Sequence, residues 1–406
     1  MDRRVNYLSV AWGINAMAFS MVFPFLTIYL YEQRGLSMSV VGTVLLLRGL
    51  ARLPTPVIAG SLVDTIGRRR VLIFGPAARS VCLFVLAGLV AIAAPLWALA
   101  SGLLASAFIG GFFQTASDTY IADITRPEQR PDAYSRVRVG MNLGWMIGPA
   151  CGALLARTPY SLLFAAAGLL CLVSVAIAVK TFPETLHGDQ RQGRHAGRRR
   201  GFDLYRALLE DRAFLATLIC TFALYLLASQ LISTFSIYSR QGVGISKLSL
   251  GYLYAFNGLL VILFQIPLNR CLGAGRLGGR LVAGSLLYAG GYFAVGLGAN
   301  VWHLAGAVSV FTLGEMLAKP AIATTVSHLA PPDKVGRYMG SLGLVRGVAM
   351  SVGPFLGGLA FDRFADRPPL MWALLAASAV VAAAGFHLLH RRRGGERTLA
   401  APPDNG

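Results

Sequence analysis

Long apolar runs, each followed by a short polar stretch, repeat along the whole chain. A membrane-spanning α-helix needs about 20 consecutive apolar residues to cross the hydrocarbon core of a bilayer, and each run has that length. The pattern predicts twelve spanning helices, roughly at 6–30, 39–62, 71–92, 97–121, 138–157, 161–180, 212–238, 249–270, 279–298, 302–326, 336–360 and 368–390. The predicted fold is therefore an all-α membrane protein.

The composition agrees with a membrane protein. Of the 406 residues, 55% are hydrophobic and only 14% are charged, whereas a soluble domain carries about 25% charged residues. The sequence contains no Walker loop for ATP, no cluster of metal ligands and no paired nucleophile and base. These features predict that the protein is not an enzyme and needs no cofactor.

The net charge of +19 is distributed unevenly among the loops. With the N-terminus placed inside, most Lys and Arg residues fall in inward-facing segments. The outward loops hold Arg34, Arg157, Arg240, Lys247, Arg363 and Arg367. This imbalance is the positive-inside signal, so both termini are predicted to be cytoplasmic. Topology then accounts for the basic charge, and the lipid bilayer, rather than nucleic acid, is the expected partner.

One long polar stretch divides the twelve runs six and six. The predicted domains are an N-terminal bundle at 1–182, a cytoplasmic linker at 183–211, a C-terminal bundle at 212–390 and a cytoplasmic tail at 391–406. A Gly-Pro pair occurs at Gly148 and again at Gly353. The same offset in residue number carries Asp64 onto Asn269, in a loop that looks like a degenerate copy of the first. Matching offsets indicate duplicated halves.

The loop between the second and third spans reads GSLVDTIGRRR, from Gly60 to Arg70. It resembles the loop signature of the major facilitator superfamily, which has an acid, a glycine and basic residues at this spacing. The resemblance implies two pseudo-symmetric six-helix bundles and transport by alternating access. It also implies that Asp64, Gly67 and Arg68 form a conformational latch with Asp123, at the cytoplasmic end of span four.

Span five resembles the antiporter motif of the drug:proton exporters in that superfamily. The motif residues are Gly144, Gly148, Pro149 and Gly152, and span eleven carries a copy with Gly353, Pro354 and Gly357. Small residues allow helices to approach closely and proline bends a helix, so the motif is expected to act as a hinge. The resemblance implies a monomeric exporter of small amphipathic molecules in a bacterial-type inner membrane, driven by the proton gradient.

Ionisable residues inside spans are costly and therefore indicate function. Asp118 and Glu315 are the candidates for proton coupling. Glu315 precedes Lys319 by four residues, so a structural ion pair is an equally good interpretation. Candidates for lining a substrate cavity are Arg48, Gln114, Asn142, Gln230, Asn257, Lys319 and Arg346. Arg52 and Arg79 are further basic residues inside spans.

Two features depart from the exporter pattern. The arginine expected in span four is missing, with Ser106 or nearby residues in its place, and span one lacks a membrane acid. The excess of basic over acidic residues inside spans leaves a second interpretation open, transport of an anionic metabolite or lipid. An interpretation from another class is a non-transporting membrane receptor or scaffold.

Overall fold

The computed structural model describes residues 2–186, 211–272, 277–331 and 334–399. These residues are almost entirely helical and contain no β-strand. Most of the predicted linker at 183–211 lies outside the described residues, and so does the end of the predicted tail.

The described helices of the first half of the sequence are joined by short turns. They are α1 (Arg3–Ile28), α2 (Met38–Ala51), α3 (Thr55–Ile66), α4 (Arg68–Ala91), α5 (Leu96–Ile124), α6 (Arg130–Leu155) and α7 (Tyr160–Thr181). A five-residue π-helical turn, Tyr29–Gln33, continues α1.

The second half has the same organisation. Its described helices are α8 (Arg212–Ala228), α9 (Thr234–Gln241), α10 (Lys247–Leu272), α11 (Leu277–Val295), α12 (Val301–Leu329), α13 (Val335–Phe364) and α14 (Pro368–Leu399). Helix α14 extends beyond the predicted end of the last span at residue 390 and into the predicted tail.

A helix occupies each of the twelve predicted positions, and ten helical segments within the described residues are long and apolar enough to cross a membrane. The two predicted spans without such a segment are those of α6 and α11. Both contain several glycines and at least one arginine. Small residues at helix interfaces lower the apolar content of a segment while they favour close packing.

Two predicted spans are interrupted. Span two is split into α2 and α3 around Pro54, whose ring and missing N–H prevent a continuous helix. Span seven is split at Ser233, where the backbone adopts φ −126° and ψ −91° between a short 3₁₀ turn and α9. The mean hydropathy of each segment does not reveal these breaks, because the residues on either side keep the segment apolar as a whole.

Contacts divide the described residues into two compact units. Unit 1 contains residues 2–186 and 232–259, and unit 2 contains 211–231, 260–272, 277–331 and 334–399. Within unit 1, α1 packs on α6 and α7, and α4 packs on α5 and α7. Within unit 2, α8 packs on α13 and α14, and α11 packs on α12 and α14. The pairing of the first six spans therefore recurs six spans later, as expected of duplicated halves.

The antiporter-motif glycines of α6 pack against the backbone of α1. A Cβ atom on Gly144 would collide with the carbonyl of Gly13, and one on Gly152 would collide with the carbonyl of Met21. Gly148 faces Ser20, whose hydroxyl donates to the carbonyl of Gly144 at 3.1 Å. The motif thus makes a backbone-to-backbone interface inside unit 1.

The copy of the motif in α13 packs in the equivalent way. A Cβ atom on Gly353 would collide with the Ser229 hydroxyl at the end of α8. Gln230 is buried and its amide donates to the carbonyl of Gly353 at 2.8 Å. In both halves a serine of the first span faces a motif glycine of the fifth span.

We predict that Gly144→Ala destabilises the protein, because the new methyl group forces α1 and α6 apart; overpacking of this kind costs about 1–3 kcal/mol. The matched control is Gly347→Ala in the interior of α13, where a Cβ atom would have no neighbouring atom within 4 Å. That control should be neutral or slightly stabilising, since alanine favours helix by about 0.5–1 kcal/mol. Equal thermal unfolding temperatures for the two purified variants would contradict the close packing of α1 against α6 at Gly144.

Candidate functional site

The latch residues expected from the loop signature lie together at the start of α4. Gly67 separates α3 from α4 with φ 105° and ψ 157°, a conformation that essentially only glycine adopts. The Arg68 side chain is only 1% exposed, and its Nε donates to Asp123 Oδ2 at 2.8 Å. Asp64 Oδ1 lies 3.7 Å from Arg68 Nη2. Gly67 thus turns the chain so that Arg68 can reach both acids.

A further acid, Glu184, belongs to the same cluster. Its Oε1 accepts hydrogen bonds from the backbone N–H groups of Arg68 at 2.8 Å and Leu186 at 3.1 Å. The neighbouring Thr185 hydroxyl donates to Asp123 Oδ2 at 2.8 Å. A carboxylate at the N-terminus of a helix is favoured by unpaired N–H groups and the helix dipole. The segment after α7 therefore caps α4 and binds the acid that pairs with Arg68.

The sequence did not assign Glu184 to the latch. The available signal in the sequence was the acid of the FPETL segment, which follows span six. Gly67 precedes α4 and has no side chain to cap that helix, so the cap has to come from another segment. Contact between positions so far apart in sequence depends on the packing of α4 against α7, which local patterns do not report.

An apolar core supports the buried guanidinium group. Val63, Val71, Tyr120 and Phe182 are fully or almost fully buried in one cluster of unit 1. Arg68 Nη1 also donates to the carbonyl of Val63 at 3.2 Å. A buried cation is tolerated only when it is paired and hydrogen-bonded, and Arg68 satisfies both conditions.

A second ion-pair cluster lies at the C-terminal end of α1. Glu32, in the π-helical turn, accepts from Arg240 Nε at 3.1 Å and from Gln241 Nε2 at 3.3 Å. Arg240 Nη1 also donates to the carbonyl of Ile245 at 2.6 Å. These contacts join α9, from the second half of the sequence, to the end of span one within unit 1.

Three further contacts hold residues 232–259 in unit 1. The Thr27 hydroxyl donates to the carbonyl of Ile232 at 3.3 Å. Lys247 Nζ donates to the carbonyl of Ala156 at 3.3 Å and lies 4.7 Å from the ring centroid of Tyr160. The cluster thus combines an ion pair, backbone contacts and a cation–π interaction.

The two proton-coupling candidates differ in their surroundings. Asp118 lies on an exposed face of α5, and no described residue forms a hydrogen bond or ion pair with its carboxylate. One turn away on the same helix, Gln114 accepts from Arg52 at 2.8 Å. Glu315 and Lys319 of α12 are ion-paired in unit 2. Within the described part of the chain, Asp118 is thus the candidate with the unpaired carboxylate.

The cavity candidates fall in different environments. Asn142 is exposed, Asn257 is half-buried, and Arg346 lies with its guanidinium 5.2 Å from the ring centroid of Tyr225. Gln230 is buried and bonded to the carbonyls of Leu226 and Gly353, so its geometry favours a packing role over an open cavity surface.

Arg48 lines a pocket inside unit 1. The pocket also contains Phe19, Phe23, Arg79 and Ser106. The structure therefore places Arg79 of span three beside Ser106, in the part of span four where the exporter pattern has an arginine.

Comparison with known proteins gives a family match over most of the chain. The family model of the Major Facilitator Superfamily matches residues 8–354. The uncharacterized MFS-type transporter YttB of Bacillus subtilis (strain 168) is 28% identical over 372 residues, which cover 90% of each chain. The multidrug resistance protein MdtH of Photorhabdus laumondii is 27% identical over 383 residues, covering 93% of this chain and 92% of the relative.

Solved structures share the fold at low sequence identity. The nucleoside transporter NupG superposes with a TM-score of 0.80 at 12% identity, covering 96% of this chain and all of the other. A likeness at this identity concerns the arrangement of helices and not the transported molecule.

We predict that Gly67→Ala destabilises the protein by about 1–3 kcal/mol, through backbone strain and through collision of the new methyl group with the Glu184 carboxylate. Gly35→Ala is the matched control, because Gly35 also has a positive φ, 63°, but has open space around it. Thermal unfolding should show a larger loss for Gly67→Ala.

The contribution of the collision can be isolated in a Glu184→Ala background. There Gly67→Ala should cost less than in the wild-type protein, since the obstructing carboxylate is gone. An unchanged cost would mean that the methyl group does not meet Glu184.

Proposed function

Because the chain belongs to the Major Facilitator Superfamily, a family of transporters and not of enzymes, we propose that it exports small amphipathic compounds in exchange for protons. The observation that carries the proposal is the latch of Asp64, Arg68 and Asp123, a charged cluster that a static scaffold does not need. The name of the MdtH relatives, multidrug resistance protein, supports this choice of substrate class.

Alternating access requires closable contacts at both membrane faces. We assign the cytoplasmic gate to the latch and the outer gate to Glu32 and Arg240. In each cluster a charged pair is reinforced by hydrogen bonds that one movement would break together, so each gate has two discrete arrangements. The Gly-Pro segments of α6 and α13 serve as hinges in this scheme, because their helices pack through backbone contacts.

The proposed topology follows from the charge distribution. It has twelve spans, with α6 and α11 as the two less apolar ones, and cytoplasmic termini in a bacterial-type inner membrane. We keep the domain boundaries predicted from sequence, with the linker at 183–211, as part of the proposal, whereas contacts group residues 232–259 with unit 1. The proposed working unit is a monomer. Arg48, Gln114, Asn142, Asn257, Lys319 and Arg346 are the proposed substrate contacts.

Asp118 is the preferred proton carrier. Its carboxylate has no partner among the described residues, so protonation does not require an ion pair to break. Glu315, by contrast, is paired with Lys319, and protonating it would leave the ammonium group of Lys319 uncompensated within a span. Exchange of substrate for a proton at Asp118 therefore has the lower electrostatic cost.

We predict that Asp118→Asn abolishes substrate-dependent proton movement in proteoliposomes. The probe is ethidium, applied across an imposed pH gradient, with internal pH reported by pyranine. Glu315→Gln should reduce the flux only in part, and Asp366→Asn, in the exposed turn after α13, should leave it unchanged. Gradient-driven flux that survives in both Asp118→Asn and Glu315→Gln would refute the coupling assignment.

We also predict that Glu32→Gln opens the outer gate. The reporter is Thr27→Cys in a background with the five native cysteines replaced, because Thr27 is fully buried beside Ile232. A membrane-impermeant maleimide added outside should label this cysteine faster in Glu32→Gln than in the parent. The charge exchange Glu32→Arg with Arg240→Glu should slow labelling again. A labelling rate that is the same in the parent and in both variants would contradict the assignment of Glu32 and Arg240 to the gate.

A further inference from the structure

An open groove lies on the surface of unit 2 between α11 and α14. Its volume is about 440 Å³, which is within the range of pockets that hold small organic molecules. One wall is a stripe of small and apolar residues on a single face of α11, namely Gly278, Gly279, Val282, Ala283 and Leu286. The other wall is formed by His387 and His390 of α14.

Two glycines at the start of α11 leave this groove open. Gly278 is buried, and a Cβ atom on it would collide with the imidazole ring of His390. A Cβ atom on Gly279 would have no neighbouring atom within 4 Å. Gly278 thus allows α11 and α14 to approach each other, while the space beside Gly279 is free for another molecule.

The groove changes in character along α11. Gly278 lies at the start of the helix, and Leu286, which is 49% exposed, lies about 12 Å further along the axis at 1.5 Å per residue. In the proposed topology α11 crosses the bilayer, so its start lies at the boundary with water and Leu286 lies towards the hydrocarbon core. The molecules beside an open groove in this position are lipids, whose polar head and acyl chains follow the same order.

The polar end of the groove carries basic groups. His387 and His390 are three residues apart and share a face of α14, and Arg391 follows them. All three are exposed, and none forms a hydrogen bond or ion pair with a described residue. The sequence of α11 contains no acid, and neither does that of α14 as far as Arg391. Guanidinium and imidazole N–H groups are therefore available to a phosphate oxygen.

Arg280, in the first turn of α11, adds a positive charge without a described counter-charge. Its guanidinium group donates to the side-chain oxygen of Asn269, and its buried Nε has no acceptor among the described residues. Asn269 is the position onto which the repeat offset carries Asp64. Arg280 is thus bonded to a neutral amide, whereas Arg68 is paired with carboxylates. An anion near the start of α11 would supply the missing negative charge.

We propose that the groove between α11 and α14 binds one anionic phospholipid. The phosphate lies among the basic groups of α14, and an acyl chain lies along the apolar part of the α11 stripe. The lipid is a resident partner of unit 2 and not the cargo. A zwitterionic phospholipid would fit the same walls, but its ammonium group would meet the basic residues, so the charge of the head group decides which lipid binds.

The test titrates the full-length protein in detergent micelles with phosphatidylglycerol or phosphatidylcholine of identical acyl chains, and native mass spectrometry counts the bound lipids. The first phosphatidylglycerol should bind about tenfold more tightly than phosphatidylcholine. The double variant His390→Gln with Arg391→Gln should lose most of this preference, because a hydrogen bond to a charged group contributes about a tenfold gain or more. Arg157→Gln, at an exposed position in the loop after α6, is the charge control and should bind as the parent does.

A second variant tests the space inside the groove. Gly279→Leu should weaken phosphatidylglycerol binding about tenfold, because the new side chain occupies the volume of the acyl chain. The matched control is Gly290→Leu, about three turns further along the same face of α11. Gly290 is also exposed and has open space around its Cβ position. Since neither new side chain meets an obstacle, both variants should fold, and the control should bind lipid as the parent does.

Equal affinity of the parent for the two lipids, or unchanged phosphatidylglycerol binding in Gly279→Leu, overturns the proposal. Displacement of the lipid by glycerol phosphate at the same concentration would mean that the site holds a free phosphate ester and not a lipid. A dimer that Gly279→Leu disrupts would mean that a second copy of the chain covers the groove. None of these outcomes bears on the flux test, because the groove contains no residue assigned to the gates or to proton coupling.

Discussion

The buried charge of Arg68 is the constraint on which the packing at the start of α4 depends. Its guanidinium group has almost no contact with solvent, so it requires partners from elsewhere in the fold. Asp123 of α5 and the carbonyl of Val63 of α3 supply them, while Glu184 takes its backbone N–H. Removing one partner of a buried ion pair costs about 3–5 kcal/mol. Loss of one partner would therefore weaken the whole cluster, which is the behaviour expected of the proposed gate.

The glycine face of α6 gives α1 a closely packed neighbour. A bilayer supplies little hydrophobic force between helices, so close backbone approach and dispersion must hold them together. Gly144 and Gly152 bring α6 against the backbone of α1. The opposite face of α6 contacts α10, where a Cβ atom on Gly251 would collide with Ala153. Because the π-helical turn with Glu32 continues α1, the same segment links the motif glycines to the ion pair of Glu32 and Arg240.

The sequence was informative where a feature depends on local length or spacing. Helix positions follow from the apolar runs, and Asp64, Gly67 and Arg68 lie together because they occupy one turn. Features that depend on how helices pack were not accessible. Glu184 reaches Arg68 only because α7 packs on α4. Gln230, a cavity candidate, donates a hydrogen bond to the carbonyl of Gly353 only because α8 packs on α13. Likewise, only the relative rotation of α2 and α4 directs Arg48 and Arg79 into one pocket.

The arginines of the pocket and the Arg68 cluster differ in how their charges are balanced. The residues of the proposed latch are bonded to one another and offer few groups to a ligand. The two arginines of the pocket have the opposite character, since no described acid pairs with them and their positions are fixed by Phe19 and Phe23. The two guanidinium groups therefore lie close together without a compensating acid among the described residues, and the aromatic rings beside them offset part of their charge.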